Sequence, residues 1–106
     1  LKILIIEDEP GLQRSIAQYL LSEGNLCSMA STYIQALERL GAYEYDCILL
    51  DLTLPDGEGL QLLNYLKRIN RTEGVIIISA RNSIDQKIEG LSLGADDYLT
   101  KPFHLS

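Results

Sequence analysis

Long apolar runs are missing from this sequence. No stretch approaches the roughly 20 residues that a membrane-spanning helix needs, and no leader-peptide pattern opens the chain. Basic residues are scarce: nine Lys and Arg stand against fifteen Asp and Glu, a net charge of -6. Phosphate contacts need a basic face, so this chain is not expected to grip nucleic acid by itself. Cysteine is limited to Cys27 and Cys47. Neither belongs to a Cys-x-x-Cys or metal-ligand spacing, and each falls in an apolar strand-like run. They read as small buried thiols of a reducing cytosol. The single histidine, His104, has no metal or acid–base partner in the local sequence and reads as a solvated loop residue. Internal repeats, low-complexity segments and linkers are also missing, so 106 residues imply one domain with one core.

What is present is organised around Asp46 to Gly57, DCILLDLTLPDG. Its apolar run suits a strand buried on both faces, ends on the carboxylate Asp51, and breaks at Pro55, Asp56 and Gly57. A carboxylate at the carboxyl end of a buried parallel strand sits where open α/β sheets bind ligands, although an isolated Asp there also simply starts a turn. Upstream, Lys2 to Ile6 reads as a first strand running into Glu7, Asp8, Glu9 and Pro10. Three adjacent carboxylates repel one another, and acidic residues with Pro also suit a first helical turn. Leu12, Ile16 and Leu20 recur at helical spacing, with Gly24 as a stop.

Asn25 to Ala30 fits a second strand. Ser31 or Thr32 caps a helix carrying Ile34, Leu37 and Leu40 and ending at Gly41. After the central strand, Leu62, Leu63, Leu66 and Ile69 mark a third helix, with Lys67, Arg68 and Arg71 placed for its negative end. Val75 to Ile78 is a strand delivering Ser79. Ile84, Ile88 and Leu91 form one face of a fourth helix closing at Gly94, and Tyr98 to Thr100 delivers Lys101 and Pro102. This alternation predicts an α/β fold, a parallel sheet with right-handed crossovers and helices on both faces. A fifth helix is expected to cover the last strand, so the sequence is expected to continue beyond Ser106.

Four strand ends thus converge on one edge, carrying Glu7 and Asp8, Asp51, Ser79, and Lys101. Carboxylate and carbonyl oxygens suit a hard cation such as Mg²⁺. A carboxylate also serves as a nucleophile toward phosphorus, giving an aspartyl phosphate, and phosphoryl transfer needs mainly positioning and charge neutralisation. Each residue has a plainer reading beside this one: Lys101 as a surface lysine, Ser79 as a turn hydroxyl, Tyr98 as packing.

The acidic pair after strand one, D-x-x-L-P-D-G at Asp51, S-A-R from Ser79 to Arg81, and G-A-D-D-Y-L-T-K-P-F from Gly94 to Phe103 resemble the receiver domain of two-component response regulators. The last two motifs look most like the winged-helix DNA-binding (OmpR/PhoB-type) subclass. The resemblance implies a doubly wound five-stranded parallel sheet of order 2-1-3-4-5, flavodoxin-like. It implies that Asp51 accepts a phosphoryl group from a phosphohistidine of a sensor histidine kinase. Asp8, Asp51 and the Thr53 carbonyl would bind Mg²⁺, with Glu7 acting through a water. Lys101, placed by a cis bond to Pro102, would pair with phosphoryl oxygens; Ser79 would hydrogen-bond the phosphoryl group, and Tyr98 would turn inward behind it. Glu7 departs from the family's commoner Asp, and Thr53 lies where it affects water access to the phosphate.

The charges Lys87, Glu89, Asp96 and Asp97 suit a symmetric homodimer formed on phosphorylation. DNA would be reached only through an effector domain beyond this chain, in the cytoplasm and without membrane contact. The domain is then a regulatory phosphoacceptor rather than a turnover enzyme. Two other classes fit less well. Haloacid-dehalogenase-like phosphatases place a second Asp two residues after the nucleophile, where this chain has Thr53. Flavodoxin-like nucleotide or flavin binders need a phosphate-cradling loop after strand one, and here that loop is acidic. A receiver that signals without phosphorylation would not need the full acidic, Ser and Lys set.

Overall fold

The computed structural model describes residues 1–81 and 83–102. His104 and Phe103 lie outside the described residues. The first strand, β1 (Lys2–Ile6), is followed by α1 (Pro10–Ser22), β2 (Leu26–Ala30), α2 (Tyr33–Ala42) and β3 (Cys47–Asp51). Two short strands, β4 (Thr53–Leu54) and β5 (Gly57–Glu58), form an antiparallel ribbon around Pro55 and Asp56. Then come α3 (Gly59–Arg68), β6 (Gly74–Ser79), α4 (Ile84–Ser92) and β7 (Asp97–Thr100). The five long strands are all parallel, in the order β2-β1-β3-β6-β7. Counting only those strands, this is the expected order 2-1-3-4-5.

Side chains alternate across each strand, so the apolar runs feed two layers at once. Leu4, Ile6, Ile48, Leu50, Val75 and Ile77 point to one face, under Ala36, Leu40, Leu62, Leu63 and Leu66 of α2 and α3. Ile3, Ile5 and Ile78 point to the other, against Ile16 of α1. On that second face Leu49, Cys27 and Cys47 pack only partly buried beside α1. The thiols are therefore half-buried rather than fully enclosed, and burial pushes both above the ordinary thiol range.

The helix ends follow from local chemistry. Gly24 and Gly94 close α1 and α4 in the left-handed region, at φ +88 and +110, as the sequence suggests. After α3 the same job falls to Asn70, at φ 60, an amide side chain that tolerates this conformation. Thr32 caps α2, its side chain accepting from Gln35 N–H, while Gly41 lies inside that helix rather than at its stop.

Three expectations about helix faces are corrected. On α2, Ile34 is exposed and the inward residues are Tyr33, Ala36, Leu37 and Leu40. Tyr33 supplies the bulk, and Ala36 lets the helix approach the sheet. Ile69 sits past the end of α3 and is exposed, because the helix stops one residue before it. On α4 the apolar stripe Ile84, Ile88 and Leu91 faces outward, and the helix meets the sheet through Gly90 instead. A Cβ on Gly90 would stand 2.6 Å from Ile77 Cδ1 and 3.3 Å from Tyr98 Cδ2, so glycine lets the helix approach without displacing either side chain.

Arg71 also differs from expectation. Rather than serving its own helix, its guanidinium donates to the carbonyls of Leu40 (2.6 Å) and Tyr43 (3.0 Å) at the end of α2. Glu73 pairs with it and accepts from Tyr45 N–H. This fastens α2 to the loop that leads into β6.

Candidate functional site

Parallel strands bring their carboxyl ends to one edge, and every candidate pocket residue lies there. Glu7 and Asp8 follow β1, Asp51 closes β3, Ser79 closes β6, and Lys101 follows β7. Register keeps them level: Asp51 is opposite Ile78, and Ser79 is opposite Thr100. A backbone bond from Lys101 N–H to the Ser79 carbonyl (2.7 Å) fixes where the last strand releases its lysine. The Lys101–Pro102 peptide is cis, and Pro102 is exposed at the rim.

Glu7, Asp51 and Ser79 are buried, whereas Asp8 is exposed. Lys101 Nζ stands 2.6 Å from Glu7 Oε1 and 3.1 Å from Asp51 Oδ2, bridging the two buried carboxylates. The contact to Glu7 is an ion pair without aligned hydrogen-bond geometry, and Glu7 Oε1 has no other polar partner among the described residues. Burial draws the Lys101 ammonium down, but the two carboxylates of Glu7 and Asp51 against it outweigh that and hold it above the ordinary lysine value. Lys101 thus stays charged where the pocket needs a cation.

One oxygen from each of Glu7, Asp8 and Asp51 lies within 4.8 Å of the others. Partial desolvation at the pocket mouth, and then hydrogen bonding to Glu7, push the exposed Asp8 carboxyl above its usual range. One lysine therefore leaves the cluster with excess negative charge. Three carboxylate oxygens converging from two strand ends fit a hard divalent cation. Thr53 starts the β4–β5 ribbon and donates its N–H to Asp51 Oδ1 (3.1 Å).

The third member of the acidic run has a different task. Glu9 caps α1, its carboxylate accepting from Gly11 N–H (2.8 Å) and from Leu12 N–H, while its own N–H donates to Glu7 Oε2 (3.0 Å). Those helix N–H bonds hold the Glu9 carboxyl below the usual range. Asp56, in the turn of the ribbon, accepts from the N–H groups of Tyr33 and Ile34 at the start of α2. Reading the PDG cluster only as a turn missed that role, since its partners lie 23 and 22 residues upstream.

Behind the pocket, Ser79 Oγ accepts from Arg81 N–H at 3.0 Å. Tyr98 is buried, and its hydroxyl donates to the Arg81 carbonyl at 2.6 Å. Of the four charges singled out on α4 and β7, Lys87 is half-buried while Glu89 and Asp97 are exposed. Asp96 already accepts from Val75 N–H at 2.8 Å, which ties it to the amino end of β6 instead of leaving it free for a partner.

Residues 3–106 match the family described as response regulator receiver domain. This chain is a response regulator receiver domain. As a receiver it is 42% identical over 106 residues to transcriptional regulatory protein PmrA of Pectobacterium parmentieri, covering all of this chain and 48% of that protein. It is 41% identical over 105 residues to transcriptional regulatory protein BasR of Escherichia coli K12, covering 99% of this chain and 47% of BasR. The receiver thus spans about half the length of these relatives. Its fold superimposes on the Francisella response regulator 1452 receiver domain with a TM-score of 0.94 at 36% identity, covering 98% of this chain and 86% of that one.

Proposed function

We propose that Asp51 is the phosphoacceptor of this receiver. A carboxylate oxygen of Asp51 attacks phosphorus of a phosphohistidine on a sensor kinase. The P–N bond breaks, and its electron pair returns to the imidazole. The observation that carries this reading is the Lys101 ammonium bridging Glu7 and Asp51 beside the convergent oxygens of Asp8. A cation fixed at 3.1 Å from the nucleophile is placed for phosphoryl oxygens. Asp8, Asp51 and the Thr53 carbonyl, with Glu7 through a water, are the residues that would hold Mg²⁺. When bound, that ion neutralises charge on the incoming phosphoryl group.

Ser79 donates its hydroxyl to the phosphoryl group, and the change passes to Tyr98 and the face made by α4 and β7. On that face Ile84, Ile88 and Leu91 are exposed beside Lys87 and Glu89, an apolar stripe edged by both signs of charge. A symmetric dimer through it, on phosphorylation, brings two effector domains onto adjacent DNA half-sites. The naming of PmrA and BasR as transcriptional regulatory proteins supports that output, with a winged-helix domain beyond this chain. The protein then works in the cytoplasm as a regulatory phosphoacceptor whose only chemistry is Mg²⁺-dependent self-phosphorylation and slow loss of the phosphate.

Mass spectrometry after phosphoramidate treatment with Mg²⁺ tests the assignment. One added phosphoryl group is expected, absent from Asp51→Asn; undiminished phosphorylation of that variant overturns it.

A further inference from the structure

Arg81 holds five neighbours through three different groups, the longest contact running from Nη2 to the Leu52 carbonyl at 3.5 Å. Its N–H donates to Ser79 Oγ and its carbonyl accepts from the Tyr98 hydroxyl. Its guanidinium crosses to the β4–β5 ribbon, where Nη2 donates to Thr53 Oγ1 at 3.1 Å and to Glu58 Oε2 at 2.8 Å. Thr53 in turn donates its N–H to Asp51. A continuous set of polar contacts therefore runs from Asp51 through the ribbon to Arg81, and from Arg81 to both Ser79 and Tyr98.

We infer that Arg81 is a positioning residue whose side chain is clamped onto the ribbon by Glu58 and Thr53, so that Ser79 and Tyr98 share one arrangement. The N–H and carbonyl of a residue hang from a single Cα. A loop movement that frees Ser79 from the Arg81 N–H thus also disturbs the acceptor of Tyr98. The ring has little freedom to compensate, since it packs against Gly90, where an added Cβ would meet it at 3.3 Å. Its hydroxyl end follows the backbone of Arg81.

The guanidinium suits this task because one nitrogen, Nη2, carries donors to a hydroxyl and a carboxylate together at the end of a long side chain. Glu58 is half-exposed, so the ion pair shifts the local equilibrium only modestly, by roughly two- to five-fold. That range suits a bias on a switch. The clamp itself is geometry; its signalling consequence rests on Asp51 being the phosphoacceptor. Phosphorylation changes the partners of Ser79 and crowds Thr53, and both changes then reach Tyr98 through one residue.

The test uses full-length protein labelled with 3-fluorotyrosine, the Tyr98 signal being assigned by its loss in Tyr98→Phe. Without any phosphoryl donor, Glu58→Gln and Arg81→Gln should each shift and broaden the Tyr98 signal. The double variant should do no more than Arg81→Gln alone, since both remove the same contact. Beryllofluoride with Mg²⁺, a mimic of the phosphoryl group, should then move the Tyr98 signal less in the variants than in the wild type. Unchanged Tyr98 signals in both single variants overturn the clamp, and so do additive effects in the double variant. If Arg81→Gln fails to fold, the exposed Glu58→Gln decides alone. If wild-type protein binds no beryllofluoride, the phosphoacceptor reading falls, while the donor-free spectra still decide the clamp.

Discussion

Gly59 touches Asp51 through the space where a side chain would be. A Cβ built on Gly59 would stand 2.4 Å from the Asp51 carbonyl oxygen and 2.7 Å from Leu52 Cα. Both are backbone atoms, and Gly59 N–H also donates to the Leu52 carbonyl at 2.8 Å. The first residue of α3 is thus pressed onto the end of β3, and the peptide of Asp51 itself forms one wall of that contact.

Gly59→Ala should therefore cost about 1–3 kcal/mol, the usual range for overpacking a filled site. Because the displaced atoms belong to Asp51, Mg²⁺ affinity should fall as well. Denaturant unfolding with calorimetric Mg²⁺ titration checks both; a variant with wild-type stability shows that the β3–α3 contact is looser than described.

Removing the bridging cation should also destabilise the fold. Lys101→Ala leaves Glu7 buried against Asp51 without its counter-charge, at a cost of about 1–3 kcal/mol given that the lysine is partly solvated. Glu7→Gln in the same chain should recover part of that loss. The pH dependence has a definite sign. A lysine held above its unfolded value contributes stability that is complete below that value and is lost as pH rises through the folded one. Because that contribution is absent from Lys101→Ala, the stability gap between wild type and variant should close at alkaline pH, and the variant should show the flatter alkaline limb. A double variant no more stable than Lys101→Ala rules out this account.

Asp8 titrates in the same sense, but removing its charge should have the opposite effect on stability. Its carboxyl is raised by partial desolvation and by Glu7, so the folded state holds its proton more readily than the unfolded state does. Stability from this group is present below the usual carboxylate range and declines as pH rises through the raised value. Asp8→Asn should make the Mg²⁺-free domain slightly more stable at neutral pH while weakening Mg²⁺ binding by at least about tenfold, the scale of losing one charged ligand. Melting temperatures with and without Mg²⁺ separate the two effects. Equal Mg²⁺ stabilisation of wild type and variant removes Asp8 from the ligand set.

On the far edge of the sheet, Glu73 is held below the usual carboxylate range, chiefly by its bond to Arg71. A depressed carboxylate contributes stability above its unfolded value and loses it as pH falls through the folded one. Glu73→Ala should cost about 2 kcal/mol at neutral pH, since Arg71 and Tyr45 N–H both lose an acceptor. It should also flatten the acid limb of the stability curve. An acid limb parallel to that of the wild type counts against the pairing.

The strands were nearly all legible in the sequence because buried parallel strands are continuous apolar runs, and Lys2–Ile6 stands out as one. Motif spacing then placed Asp51, Ser79 and Lys101 at strand ends, where the sheet brings them to one edge. Helix faces were less legible. Periodicity groups Ile84 with Ile88 and Leu91, but it does not say which side faces the sheet; Gly90, the smallest residue on the helix, decides that by close approach. Ile34 misled for the same reason, since Tyr33 and Ala36 fill the space against the core. The contacts of Arg71, Asp56 and Glu58 were out of reach because each joins elements distant in sequence: Arg71 to Leu40, Asp56 to Tyr33, Glu58 to Arg81. No local pattern encodes such a meeting.

Lys101 joins the last strand to the first and the middle ones, and this governs when the molecule becomes competent during synthesis. Its partners Glu7 and Asp51 leave the ribosome long before it does. Until β7 docks beside β6, the two acidic strand ends lack their cation and Tyr98 is not yet in place. With Asp51 as the proposed phosphoacceptor, a nascent chain should expose that carboxylate without being able to use it until the sheet is finished. Pulse-labelled ribosome-bound chains of increasing length should begin to react with phosphoramidate only after Lys101 has cleared the exit tunnel.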